Sequence, residues 1–365
     1  MKTLLILTDA DFVGGAETNY TYILPSLQKN GWNPVFITSG DKNISEYFRR
    51  QQLMPTVKPL FRKYFSFSVN GRVSPVNIFR TWRSLVKNRA VLKGLMKEYR
   101  PQAIVSNSMV SHWLLSAIKS DAGCKKIMHL HDLVNTKKAF GLYGRGLQRI
   151  AAKMDTVIVV SEPVRSQLPV ALHNKIVKIY NPVKLSQLPA KTISKPLRIG
   201  MFARYTEWKG HRDFLRIAQA LAGPEYEFTS YGNIAGNEAY FRQLQELAGA
   251  LPNHLRIQLN GFSHHINREM ATCDIILQLS KLPDPAPRVL IESNACGVPV
   301  FAYEGGGVKE LFSELGLAGV IVPMGNLSAM IEAIKKADTM SFVFPDLKEI
   351  TPEKYFTHFE KVLYS

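Results

Sequence analysis

The sequence predicts an α/β protein made of two doubly wound, parallel-sheet domains. Three observations carry that expectation. Short apolar runs alternate with helix-length amphipathic segments, the pattern of βαβ units assembled into parallel sheets. The alternation stops and restarts around "NPVKLSQLPAKTISKP", a Pro- and Lys-containing connector at residues 181–196. At 365 residues the chain is longer than one core ordinarily serves.

The elements follow in order. "KTLLILT" is a first buried strand, not a secretion signal: its apolar core is only Leu4 to Leu7, Asp9 and Asp11 follow at once, and there is no small-residue cleavage site. A Gly14-Gly15 turn then leads into the amphipathic "ETNYTYILPSLQKNG". "NPVFITS", "AIVSNS", "KIMHLH", "TVIVVS" and "KIVKIY" supply further strands, closing a first domain at residues 1–182. After the connector, "LRIGMFA", "YEFTSYG", "LRIQLNG", "DIILQLS", "VPVFAY" and "AGVIVP" build a second domain over 183–350. Residues 351–365, "TPEKYFTHFEKVLYS", space Tyr355, Phe356, Phe359 and Leu363 as an amphipathic helix, expected to pack back toward the first domain.

Composition narrows the function. Hydrophobic content of 46% and charged content of 21% suit a globular protein, and no run approaches the ~20 apolar residues of a membrane span. Cys124, Cys273 and Cys296 are far apart, with no CxxC spacing, which predicts neither disulfides nor zinc and fits a cytoplasmic setting. The net charge of +17 is lopsided: residues 1–182 hold 27 Lys and Arg against 10 Asp and Glu, while residues 183–365 hold 19 of each. A polyanion facing the first half is implied, either nucleic acid or an anionic membrane surface. Within it, residues 76–99 place Ile78, Trp82, Leu85, Leu92, Met96 and Tyr99 at helical spacing, with Arg80, Arg83, Lys87, Lys93 and Lys97 largely off that stripe. Such a helix can lie in a lipid interface, or its stripe can simply be core.

Four segments carry candidate chemistry. At "DADFVGGAET" the Gly14-Gly15 turn opens a helix whose bare N–H groups can approach an anion, although GxGxxG is absent. Asp9 and Asp11 spell DxD, but no further metal ligands accompany them, so no metal is expected. "KIMHLHDLV" sets His129 and His131 at a strand end, where ligands of doubly wound sheets collect. In "GMFARYTEWKGHRDFL", Arg204 and Lys209 share a strand-to-helix turn, a plausible diphosphate clamp or an exposed basic loop. Finally "LPDPAPRVLIESNACG" places Asp284 in a loop and Glu292 two turns into an apolar helix. A carboxylate among Val289, Leu290, Ile291 and Ala295 needs hydrogen-bond donors to offset its desolvation, and sugar hydroxyls are such donors.

Taken in order, "GGAETNYTYILPSLQKNGWNPVFIT", "HLHDL", "DTVIVVSEPVRSQL", "IYNP", "ARYTEWKG" and "DPAPRVLIESNACGVPVFAYEGGGVKEL" resemble glycosyltransferase family 4 over nearly the whole chain. The resemblance implies the GT-B fold, two Rossmann-like domains facing across a cleft. It further implies a retaining, metal-independent hexosyltransferase using a UDP- or GDP-type nucleotide sugar. Arg204 and Lys209 would hold the donor diphosphate and Glu292 the ribose. His131 and Asp284 would contact the donor sugar at the reacting centre, and Gly15 would lie against the diphosphate or the acceptor. The first domain would bind the acceptor, a glycan, lipid-linked in many relatives, and the second the donor. With the basic first half, that implies peripheral contact with the inner face of the cytoplasmic membrane and no nucleic-acid partner.

Two departures touch the donor-sugar pocket. Asp284 stands where the family has Glu, and Ala286-Pro287 replaces Phe-Gly, removing an N–H. A GT-B nucleotide-sugar epimerase and a basic nucleic-acid-binding protein are the rival readings, and a catalytically silent regulatory member is a third.

Overall fold

The computed structural model describes residues 1–8, 14–38, 41–59, 68–69, 72–73, 75–119, 123–134, 142–185, 195–252 and 254–365. The chain divides into two compact units, residues 1–182 together with 352–365, and residues 183–351.

The first unit is a parallel sheet of β1 (Lys2–Leu7), β2 (Trp32–Thr38), β3 (Thr56–Pro59), β6 (Ala103–Ser106), β7 (Lys125–Leu130), β8 (Thr156–Val159) and β9 (Ile176–Lys178), in the order β3-β2-β1-β6-β7-β8-β9. A separate short hairpin pairs β4 (Ser68–Val69) with β5 (Arg72–Val73). Around the sheet run α1 (Gly15–Lys29), α2 (Asp41–Arg50), α3 (Pro75–Tyr99), α4 (Met109–Ser116), α5 (Leu142–Ala152) and α6 (Glu162–Arg165). The central strands are unbroken apolar runs because helices cover both faces: Leu4, Leu5, Leu7, Ala103 and Val105 have no accessible surface. Strand order reverses where β1 meets β6, Leu5 opposite Ile104 and Leu7 opposite Ser106, which opens a crevice at their carboxyl ends.

The second unit repeats the plan with β10 (Leu197–Phe202), β11 (Tyr226–Tyr231), β12 (Arg256–Asn260), β13 (Ile275–Gln278), β14 (Val300–Tyr303) and β15 (Gly319–Val322), ordered β12-β11-β10-β13-β14-β15. Its reversal falls between β10 and β13. The helices are α7 (His211–Ala220), α8 (Glu238–Gly249), α9 (Ile266–Thr272), α10 (Arg288–Ala295), α11 (Val308–Leu315) and α12 (Leu327–Lys335). The last helix, α13 (Pro352–Tyr364), joins the first unit's core: Tyr355, Phe356, Phe359, Val362 and Leu363 pack with Tyr20, Ile23, Leu27 and Trp32. Lys125 Nζ donates to Val362 O (2.7 Å) at its carboxyl end, where a cation also meets the helix dipole favourably.

One expectation needs correction. The apolar stripe read along residues 76–99 keeps one face but not one environment, and its second half is core. Leu92 and Met96 are core, Leu85 and Tyr99 are half-buried, and only Trp82 of the described members is exposed. The exposed apolar residues of α3 are Val76, Phe79, Trp82, Val86 and Val91. The helix outruns the core beneath it, so its first half and its second half meet different surroundings. Among the described residues no helix is long and apolar enough to cross a membrane.

Candidate active site

The two switch points gather every candidate residue, Gly15 and His131 in the first unit, Arg204, Lys209, Asp284 and Glu292 in the second.

In the first unit, α1 begins directly after the loop that follows β1. Gly15 is its exposed first residue. Glu17, nearly buried, reaches back: one carboxylate oxygen accepts the Gly14 N–H (3.0 Å), the other accepts Thr8 Oγ1–H (2.6 Å). The carboxylate thereby caps the helix and ties its start to the end of β1. That same oxygen lies 3.4 Å from Asn107 Nδ2, at the end of β6, and Asn107 Oδ1 lies 2.7 Å from His131 Nε2. Because Asn107 turns its amide nitrogen to Glu17, its oxygen faces His131 and accepts the ring's Nε2–H. Behind it His129 is fully buried, its ring 3.8 Å from that of His131 and its Nδ1 2.7 Å from Tyr20 Oη. Burial holds His129 well below the ordinary histidine value, reinforced by His131 and His112. Burial, with His131 next, likewise brings His112 down to about 3. His129 and His112 are neutral framework, and His131 is the half-exposed member at the strand end. Asp9 and Asp11 lie outside the described residues.

In the second unit, β10 leads through exposed Arg204 into a 3-10 turn, Glu207–Lys209, and then α7. Gly210 adopts φ 89°, and a Cβ there would collide with the Leu279 carbonyl oxygen, so only glycine lets the turn lie against the end of β13. Lys281 N–H donates to Trp208 O (2.7 Å), fastening the two loops. Gly306 performs the same service on the other side: at φ 58° its Cβ would strike Asp284 O, while Gly307 N–H donates to that oxygen (2.9 Å). Clamped between two glycine turns, Asp284 is almost wholly buried, and Lys209 Nζ meets its Oδ2 at 2.6 Å while also lying 4.0 Å from the Trp208 ring centre. The diphosphate-clamp candidate and the sugar-binding candidate are thus partners.

Glu292 departs from the sequence expectation in one respect. It is not an isolated carboxylate within a buried helix but sits on the half-exposed edge of α10, where Arg288 Nε donates to its Oε1 at 3.1 Å. Arg288 was readable, since i,i+4 places it on the same helix face. Glu17 was readable too, three residues past a helix-starting glycine. Asn107 carries no local signal.

Known proteins share this fold. Residues 13–187 match the family described as Glycosyltransferase Family 4, and residues 187–341 match Glycosyl transferases group 1. The chain is 30% identical to an uncharacterised 42.6 kDa protein in the cps region of Klebsiella pneumoniae, covering 82% of this chain and 83% of that one. It is 26% identical to an exopolysaccharide phosphotransferase of Streptomyces coelicolor, covering 92% of this chain but only 37% of that protein's length. The crystal structure of Anabaena HepE in complex with UDP-glucose superposes over 100% of both chains with a TM-score of 0.75 at 19% identity, which shows a shared fold. Two matches meeting at the connector, and a fold shared from end to end, identify the chain as a GT-B glycosyltransferase belonging to glycosyltransferase family 4.

Proposed function

We propose that the protein transfers a hexose, with retention and without a metal, from a UDP- or GDP-type nucleotide sugar to a glycan acceptor, lipid-linked, during polysaccharide assembly at the inner face of an anionic membrane. The observation that carries the donor half of this reading is the pair of ion pairs at the second unit's switch point, Lys209–Asp284 and Arg288–Glu292. Each leaves hydrogen-bonding capacity for a ligand. Lys209 has three donors and spends one on Asp284, so two remain for phosphate oxygens. Asp284 accepts Lys209 at one oxygen and can accept sugar hydroxyls at the other. Glu292, oriented by Arg288, can accept both ribose hydroxyls.

Arg204 and Lys209 would stabilise the diphosphate as the glycosidic bond to it breaks. The leaving phosphate oxygen takes the acceptor hydroxyl's proton while that hydroxyl attacks from the same face, so no enzymic nucleophile is required. His131, anchored through Nε2 to Asn107, would contact the donor sugar. The polysaccharide context is suggested by the cps-region and exopolysaccharide relatives, and the UDP donor by the HepE complex.

The test is a thermal-shift screen against UDP, GDP and their sugars. A donor at 100-fold above its Kd raises stability by ~2.7 kcal/mol. Incubation of the stabilising donor with and without acceptor glycolipid follows, with the anomeric configuration read by NMR. An epimerised donor in the absence of acceptor would replace the transferase reading, and an inverted linkage would remove the retaining one.

A further inference from the structure

The first unit contains a second concave site that the donor and acceptor chemistry does not use. A cavity of about 660 Å³ opens beside the carboxyl-terminal half of α3, within the size range of small-ligand sites. Arg89, Lys93 and Lys97 stand four residues apart on one face of that helix and line it, with Arg100 and Lys119 completing the ring. Among the described residues no carboxylate lines it. The helix's single acid, Glu98, is paired with Lys58 at 3.8 Å.

The cavity lies at the opposite end of the strands from the candidate active site. Arg100 to Gln102 lead into β6 and Gly123-Cys124 into β7, whereas Asn107 and His131 follow those same strands. The six residues of β7 separate the two ends by roughly 20 Å. The wall is built firmly: Gln102 Oε1 accepts the Thr3 N–H (2.6 Å) and its Nε2 donates to Arg100 O (3.1 Å). Arg100 itself has φ 43°, a left-handed helix end that usually takes glycine. The helix dipole accounts for Lys97 and Arg100 near the carboxyl terminus, but it fades within one turn, so Arg89, Lys93 and Lys119 need another cause.

The same helix face continues toward the amino terminus as Val86, Trp82 and Phe79, all more than half exposed, with the last two rings stacked 6.2 Å apart. A ring of cations thus adjoins a ridge of apolar side chains along one face.

We propose that this cavity seats the phosphate headgroup of an anionic lipid, with the Phe79–Trp82–Val86 ridge entering the acyl boundary beside it. The inference rests on the membrane contact proposed above and gives that contact a specific seat. Five cations around one concavity supply charge-assisted donors for a phosphate, and the ridge supplies the apolar insertion that a free phosphate would not use.

Cys124 reports on the cavity, since it lines it half-exposed while Cys273 and Cys296 are buried. The full chain is alkylated with iodoacetamide and the Cys124 adduct followed by mass spectrometry, alone, with phosphatidylglycerol vesicles, with phosphatidylcholine vesicles and with inorganic pyrophosphate. Phosphatidylglycerol vesicles are expected to slow the reaction at least fivefold, phosphatidylcholine vesicles not at all. Lys93→Glu/Lys97→Glu is expected to abolish that protection, and Lys119→Glu, outside α3, carries the same test should the double variant fail to fold. Co-sedimentation with phosphatidylglycerol that persists while Cys124 stays unprotected overturns the seat and leaves membrane contact standing. Absence of co-sedimentation overturns both. Protection by pyrophosphate but not by vesicles overturns the lipid assignment and makes the cavity a site for free phosphates.

Discussion

The two units share one plan and furnish their switch points with opposite kinds of polar chemistry. In the first, the residues at the strand ends are held by hydrogen bonds in a buried network that contains no ion pair among the residues described, Asn107 between the Glu17 carboxylate and His131, with two uncharged histidines behind. In the second they are ion pairs, Lys209 with Asp284 and Arg288 with Glu292. A hydrogen-bonded framework fixes the geometry of one nitrogen before anything binds. An ion pair can exchange part of its interaction for a charged ligand at small cost, because the ligand replaces what it displaces. The contrast fits the roles proposed above, orientation of an acceptor by the first unit and binding and release of a diphosphate by the second.

Acid separates the units most strongly. His112, down to about 3, and His129, well below its ordinary value, belong to the first unit; His211, at about 4 through burial, belongs to the second. In each case the unfolded chain binds a proton near pH 6.5 that the folded chain refuses. Stability is therefore complete above pH 6.5 and falls as pH drops toward the folded values. From pH 6.5 to 5 each histidine costs about 2 kcal/mol, twice as much in total for the first unit. Hydrogen exchange at pH 5 should show strands β1, β6 and β7 opening before β10 and β13. Equal loss of protection in the two sheets would erase the distinction.

Lys209→Ala tests the ion-pair side. It should lower kcat/KM by roughly 10- to 100-fold, the worth of a charge-assisted bond, and also lower the melting temperature because Asp284 is left buried without its cation. Adding Asp284→Asn should restore stability without restoring turnover. A variant retaining more than half its activity would remove Lys209 from the donor site. Glu292→Ala should cost about tenfold, chiefly in KM for the nucleotide sugar, with little change in melting because Glu292 is half-exposed.

Asn107→Ala tests the neutral side, with a loss of about fivefold in kcat, equivalent to a neutral hydrogen bond of ~1 kcal/mol. The smallest expected effect is none. Turnover measured in excess EDTA should equal that in buffer, and loss rescued by Mg²⁺ or Mn²⁺ would bring Asp9 and Asp11 into the mechanism.

What the sequence makes legible follows range. Buried parallel strands announce themselves as runs such as Leu4–Leu7, and both sets of strands read from such runs appear in the two sheets. β3 does not, because an edge strand reading Thr-Val-Lys-Pro is half-polar and short. Local spacings expose Gly210 beside Lys209 and Arg288 beside Glu292. The Lys209–Asp284 pair is different: 75 residues separate its members, and only the packing of Gly210 against Leu279 brings their loops together. The cationic cavity is half legible, its Arg89-Lys93-Lys97 stripe local, while Lys119 and Cys124 arrive from another part of the chain. The division of α3 into exposed and buried halves depends on how far the core extends beneath it, which periodicity does not encode.

The docking of α13 has a consequence for biosynthesis. The first unit's strands precede the second unit in the chain, yet its core is completed by residues 352–365, which are made only after the whole second unit. At ~5–20 residues per second, on the order of ten seconds or more of translation separates Pro182 from Pro352. Throughout that interval Tyr20, Ile23, Leu27 and Trp32 lack the side chains that cover them in the finished protein, and by its end the second unit has its whole sequence and can close. The order of completion on the ribosome is thus the reverse of the order in which the units begin, and the nascent first unit is the stretch that a holding chaperone would recognise.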